Sequence, residues 1–432
     1  MKKTTAVKIA SLATLGMVPM MMWSQDSQAI PAFARKYQTS CYTCHSGFPA
    51  RNAFGEAFRN NGYRWPGGED EDHAKQEQTK MGSDGWKKTF PNSPWPTDIP
   101  GFAPFAFWIR GDVLSWTEEQ LNAQAGTVKT PSKFNWGTSP LGSATLFFGG
   151  SMGNNFSAFG SYNISATTTE ANGSNPQSHT TTVTSAARGR VVWAFKPGIN
   201  FALGNGFSDF NFGSANTTYA STFPNPGTGA EFSYITGEKS GGFKFILGAA
   251  ENGTGEFNHV NDLTYVRARY KIGGAGLLSG AGGTLGNEYV GIDNHFAIGA
   301  SYMGIRQETP LTTGNWKGET GIWGVDAEGS IGNFMLGVGY SRDIDLGFNN
   351  YRVDATYFLY PWLKSTITYA NMRDGDPTAN DPTLAFGLTA HLRANALVGL
   401  TYTHHTRDYN LPLSSSTTTF TDTVVLGAQF AF

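Results

Sequence analysis

Across residues 101–432 the chain repeats one local pattern: short runs in which apolar and polar residues alternate with a period of two. Tyr351, Val353, Ala355, Tyr357 and Leu359 fall on one side of such a run, against Arg352, Asp354 and Thr356 on the other. The last run sets Val424, Leu426, Ala428, Phe430 and Phe432 against Thr423, Val425, Gly427, Gln429 and Ala431. Successive side chains of a strand point to opposite faces, so each run reads as a strand with one apolar and one mixed face. Lipid demands that arrangement of a closed barrel, the one β structure that leaves no backbone unpaired in hydrocarbon. We count about 16 such runs, an even number, as single-chain bacterial outer-membrane barrels require. The predicted fold class is all-β, an outer-membrane antiparallel β-barrel.

The connections alternate as well. Short turns are expected near residues 150–154, 196–199, 238–242, 330–333, 360–362 and 393–395, with longer polar loops over 115–142, 166–186 and 209–229. In such barrels short turns face the periplasm and long loops the exterior, which puts both ends of the barrel on the periplasmic side. Composition agrees: 54 glycines and 14% aromatic residues suit tight turns and aromatic girdles, and only 15% of residues are charged. A net charge of −2 lacks the basic excess of a nucleic-acid binder. Past the N-terminus no apolar run is long enough to span as a helix.

Residues 1–29 read as an export signal. Lys2, Lys3 and Lys8 precede the apolar stretch 9–23, and Ser27-Gln28-Ala29 supplies small residues for cleavage. Beyond it lie the chain's two cysteines, both in Cys41-Tyr42-Thr43-Cys44-His45. C-x-x-C-H is the attachment signature of a c-type haem. The two thiols would add to the porphyrin's vinyl groups, and His45 would be the proximal iron ligand. A zinc site would need a second pair of thiols or imidazoles, and a thioredoxin-like pair would need a βαβ setting; the sequence has neither. The cofactor expected is therefore one covalently attached haem c.

Residues 50–61 have helical character, with Phe54 and Phe58 on one face and Gly62 as a C′ residue. Arg35, Lys36, Arg51, Arg59 and Arg64 surround the motif and are able to pair with haem propionates. For the iron's other axial position the same unit offers His73 and Met81, of which His73 is the first candidate. A ligand from the barrel wall, or an open position, is equally compatible. His73 closes the acidic run Glu69-Asp70-Glu71-Asp72, expected as a solvated linker face. The domain organisation is then signal 1–29, haem head 30–68, linker or plug segment 69–100 and barrel 101–432. About 16 strands leave a lumen that a small helical monohaem cytochrome head can plug.

Ile30-Pro31-Ala32-Phe33-Ala34-Arg35, the haem motif, Phe48-Pro49, Asn52-Ala53-Phe54-Gly55, Phe58 and Asn61-Gly62-Tyr63 together resemble the fused monohaem cytochrome–porins of the bacterial outer membrane. Studied members of that family are iron oxidases. The motif match covers about residues 30–65, and beyond it the likeness is architectural. The resemblance implies that Cys41 and Cys44 hold the haem and that His45 ligates its iron. It further implies electron transfer from an extracellular donor such as Fe(II), through the haem, to a periplasmic c-type cytochrome or other soluble carrier. As an enzyme the chain would be an Fe(II)-oxidising cytochrome, not a hydrolase or transferase. Its other partner is outer-membrane lipid, and no nucleic acid is implied. Outward electron flow, or a solute-conducting porin with a haem-bearing gate, are the alternatives. A peroxidase would need a distal His/Arg pair, and none stands at recognisable spacing.

Overall fold

The computed structural model describes residues 32–47, 50–68, 70–75, 78–80, 88, 98–100, 105–123, 126–129, 133–152, 155–170, 179–207, 209, 223, 226–251, 262–282, 293–311, 314–344, 347, 349–371, 382–393, 395–405 and 419–431. The expected export segment 1–29 and most of the expected linker lie outside them.

Among the described residues sixteen strands form the wall of a closed barrel. They are β1 (Phe105–Ala123), β2 (Lys133–Met152), β3 (Phe156–Glu170), β4 (His179–Lys196), β5 (Ile199–Gly204), β6 (Gly229–Ile235), β7 (Ser240–Ala250) and β8 (Leu263–Ala275). The second half comprises β9 (His295–Leu311), β10 (Gly314–Ile331), β11 (Phe334–Asp343), β12 (Asn349–Tyr360), β13 (Leu363–Asn371), β14 (Thr383–Arg393), β15 (Ala396–His405) and β16 (Thr419–Ala431). Every strand runs antiparallel to its sequence neighbours, and β16 closes on β1, from Thr419 opposite Leu121 to Ala431 opposite Trp108. A short ribbon, Gly126–Lys129, folds back on the far end of β1.

The period of two sorts side chains as the sequence requires. On β8, Leu263, Tyr265, Arg267, Arg269 and Lys271 are buried inward, while Tyr270 and Ile272 are exposed on the outer face. On β12, Tyr357 and Leu359 face out and Asp354 and Thr356 are buried. Exposed apolar side chains continue around the wall, among them Leu247, Ile298, Val325, Leu336, Ile367 and Leu400, as a membrane-facing belt requires. Inside, charges are paired: Arg267 forks onto both carboxylate oxygens of Asp326 at 2.6 and 2.9 Å, which offsets the cost of burying either alone.

Two expected loops are shorter than the sequence suggests. Strands continue to Ala123 and resume at Lys133 within 115–142, and β3 and β4 reach Glu170 and His179 within 166–186. Beyond the bilayer no apolar face is demanded, so threonine-rich polar segments extend the ladder without the alternation that marks them. The loop 209–229 lies largely outside the described residues. Two connections break the short-and-long rule: β8 to β9 is long at the short-turn end, and β9 to β10 is a tight hairpin at the other.

The N-terminal unit comprises α1 (Ala32–Tyr37), a 3-10 turn (Cys41–Thr43), a two-stranded ladder (His45–Gly47 with Ala50–Arg51), α2 (Ala53–Asn60) and α3 (Asp70–His73). Helix α2 starts at Asn52, whose side chain accepts from the Gly55 N–H at 2.9 Å. It stops in a Schellman turn: Tyr63 N–H donates to Phe58 O at 2.9 Å and Gly62 N–H to Arg59 O at 3.0 Å, with Gly62 at φ +69°.

This unit sits in the lumen at the short-turn end, bonded to inward side chains. Asn200 on β5 donates to Asn60 O at 2.7 Å, Lys244 on β7 to Asn60 Oδ1 at 2.9 Å, and Arg269 on β8 pairs with Glu56. Ser157 on β3 bonds Gly62 O, and Arg190 on β4 bonds the Tyr63 hydroxyl. The long β8–β9 connection adds a clasp, since Asn60 Nδ2 donates to Leu277 O at 3.0 Å. Asp70 corrects the solvated reading of the acidic run. It is 2% exposed, pairs with Lys36 and accepts from the Tyr37 hydroxyl at 2.6 Å and the Trp65 N–H at 2.8 Å. The head therefore packs through Asp70, past residue 68.

Candidate functional site

Ser40 caps the 3-10 turn, and Cys44 N–H donates back to Cys41 O at 3.2 Å. The turn brings Cys41 and Cys44 to one side of the head. Helix α2 is pinned against it: Asn52 donates to Tyr42 O at 2.8 Å and Thr43 O at 3.2 Å, and Asn52 N–H donates to Cys44 O at 3.0 Å. Gly55 completes the approach, because a Cβ there would stand 1.9 Å from Cys44 O. The motif loop and the helix touch backbone to backbone.

Cys41, Cys44 and His45 all line one cavity of about 310 Å³ between the head and the wall. The head lines it with Phe33, Tyr37, Phe54, Phe58, Tyr63 and Trp65, and the wall with Ala106, Phe147, Gly149, Phe159 and Ala431. Its rings pack in contact: Phe33 on Phe58 at 5.1 Å, Phe54 edge-on to Trp65 at 4.9 Å, Tyr63 stacked on Phe159 at 4.9 Å. A small-molecule site has this size and apolar lining.

Both cysteines are free thiols. Burial pushes Cys41 up to about 11 and Cys44 up to about 12, the latter also by the neighbouring Cys41. A thiol–disulfide exchange pair needs a thiolate near neutral pH, so these residues do not suit that chemistry. His45 Nδ1 lies 3.2 Å from Ala50 O. A carbonyl can only accept, so Nδ1 carries the proton and the ligating lone pair lies on Nε2. Two neutral thiols, one oriented imidazole and an aromatic box can hold a porphyrin by two thioethers and ligate its iron once. No group of three or more metal-binding side chains exists among the described residues.

The structure does not bring His73 to this cavity. Its ring stacks on Trp65 at 4.8 Å and 16°. Met81 lies outside the described residues. The five basic residues near the motif separate: Lys36 binds Asp70 and Ser151, Arg35 donates to Phe105 O, Arg64 Nε donates to Asn61 O at 3.0 Å, Arg59 lines the cavity while paired with Asp209, and Arg51 lines it too. Sequence reasoning missed the wall's share of the site. Phe147 and Phe159 carry no local signal apart from inward parity on β2 and β3.

No family model matches the chain, and no curated protein does. Among solved structures, the chain is similar to the outer membrane channel DcaP of Acinetobacter baumannii at 12% identity and TM-score 0.45, over 76% of this chain and 96% of that one. It is similar to Salmonella typhi OmpF, solved with daunomycin, at 14% and 0.42, over 76% and 97%. The anion-selective porin from Comamonas acidovorans gives 13% and 0.43, over 77% and 100%. Likeness at this level carries no inference about what this barrel binds or passes.

Proposed function

We propose that this outer-membrane barrel holds one haem c, thioether-linked to Cys41 and Cys44 and ligated by His45. It passes single electrons between an extracellular donor, Fe(II) or another poorly permeant reductant, and a soluble periplasmic carrier such as a c-type cytochrome. The observation that carries this reading is the aromatic cavity in which both thiols and the imidazole converge. When bound, the haem supplies the one-electron Fe(III)/Fe(II) couple. The chain's own groups do the rest. The Ala50 carbonyl orients His45, and the rings of Phe33, Phe54, Phe58, Tyr63 and Phe159 keep water from the site.

Placement supports the same reading. The head sits at the short-turn end of the lumen, and short turns face the periplasm in such barrels. A periplasmic carrier then approaches the head directly, and the donor enters from the loop end. The same geometry serves outward flow; the potentials of donor and carrier set its direction. The test is stopped-flow mixing of the purified protein in lipid vesicles with Fe(II). The reduced haem spectrum is expected to appear; a haem that dithionite reduces and Fe(II) does not, at any pH from acidic to neutral, removes Fe(II) as the donor.

A second reading, solute conduction past the head, is favoured by one observation. Leu400 on β15 faces lipid, yet its inward neighbour Thr401 is also exposed. Ion conductance of the haem-loaded protein in a planar bilayer would support that reading.

A further inference from the structure

Four of the five cations around the haem motif are committed to other groups. Lys36 is 4% exposed and bound to Asp70 and Ser151, Arg59 is ion-paired with Asp209, and Arg35 donates to Phe105 O. Arg64 is held by Asn61. Arg51 differs. It pairs across the short ladder with His45 and, like Arg59, lines the cavity. The covered Nε of Arg35, Arg51 and Arg59 all lack a hydrogen-bond partner, but Arg35 and Arg59 are held through their other nitrogens, and Arg51 makes no ion pair or side-chain hydrogen bond among the described residues.

A guanidinium stays charged, and a covered charge is costly unless an anion meets it. The nearby carboxylates are already engaged: Glu56 with Arg269, Asp70 with Lys36, and Asp209 with Arg59 and Lys244. Asp209 and Glu56 act on Arg51 across space but are hydrogen-bonded elsewhere, which leaves its fork free to take an acceptor from whatever fills the cavity. Resting on the haem reading above, we infer that Arg51 is the propionate-binding residue of this site, its fork taking a haem carboxylate. Arginine's planar donors match a carboxylate two by two, which a lysine cannot reproduce. A fixed positive charge there also disfavours the extra positive charge of Fe(III), and so raises the midpoint potential.

The experiment is a spectroelectrochemical titration of detergent-purified holoprotein at pH 7, with haem per chain counted alongside. Arg51→Gln is expected to keep one haem and to move the Fe(III)/Fe(II) ratio at fixed potential about tenfold towards Fe(III), a midpoint lower by about 59 mV. Arg51→Lys should restore most of that shift. A haem-loaded Arg51→Gln with the wild-type midpoint overturns the inference. If Arg51→Gln does not assemble, the propionate bending mode in the resonance Raman spectrum of Arg51→Lys decides: a shifted mode supports the contact, and an unshifted one overturns it. Wild-type protein that carries no haem would instead overturn the proposed function, and this inference with it.

Discussion

Gly55 is where the head tolerates no side chain, since a Cβ there would meet the Cys44 carbonyl at 1.9 Å. Backbone cannot step aside as the end of a side chain can. Gly55→Ala should therefore cost about 3 kcal/mol, the upper end of ordinary overpacking, and pull α2 off the motif loop. Haem-stained gels of outer membranes would show little covalent haem on that variant; wild-type loading would contradict the contact. Part of this scale was legible beforehand. The close spacing of Cys41, Cys44 and His45 put them at one site, and Gly62 announces the end of its helix. Arg51's isolation was not legible, because its neighbours' partners, Asp209 and Phe105, lie far along the chain and only folding brings them near.

Between elements, the head is held to the wall by charge. Burial alone would raise the Glu56 carboxyl, but Arg269, Lys271 and Lys244 outweigh it and hold the group at about 2 against an ordinary 4.5. A carboxylate lowered on docking adds stability that is fully present above pH 4.5 and is lost as pH falls towards 2. The lowering corresponds to about 3 kcal/mol. Near-UV circular dichroism of the packed aromatic rings should thus hold steady down to about pH 4 and fall below it. Glu56→Gln should remove most of that acid dependence, and an identical acid profile in wild type and variant would contradict it. Sequence periodicity assigned strand parity correctly on β12 and β16, because lipid enforces alternation there. It failed on 115–142 and 166–186, where water on both sides enforces none. It also missed the 276–282 clasp, whose Leu277 has meaning only against Asn60.

At the scale of the whole molecule, the head's bonds to Asn200, Lys244 and Arg269 hold it to one side of the lumen, while Thr401 on β15 stays exposed. That exposure predicts a water-accessible inner face. Thr401→Cys should react with a charged, impermeant thiol reagent in intact vesicles, whereas Leu400→Cys, facing lipid, should not; equal protection of both would contradict an open lumen there. The chain's two cysteines suffice for one haem and no more. On the proposed function, one covalent haem would serve both ends of the barrel, which makes its attachment to this chain the central point. Intact mass spectrometry of the mature protein from outer membranes tests this most directly. One covalent haem per chain is expected, lost when Cys41 and Cys44 are both replaced by alanine while the barrel still resists heat in detergent gels. A mature wild-type chain bearing no added mass would contradict it.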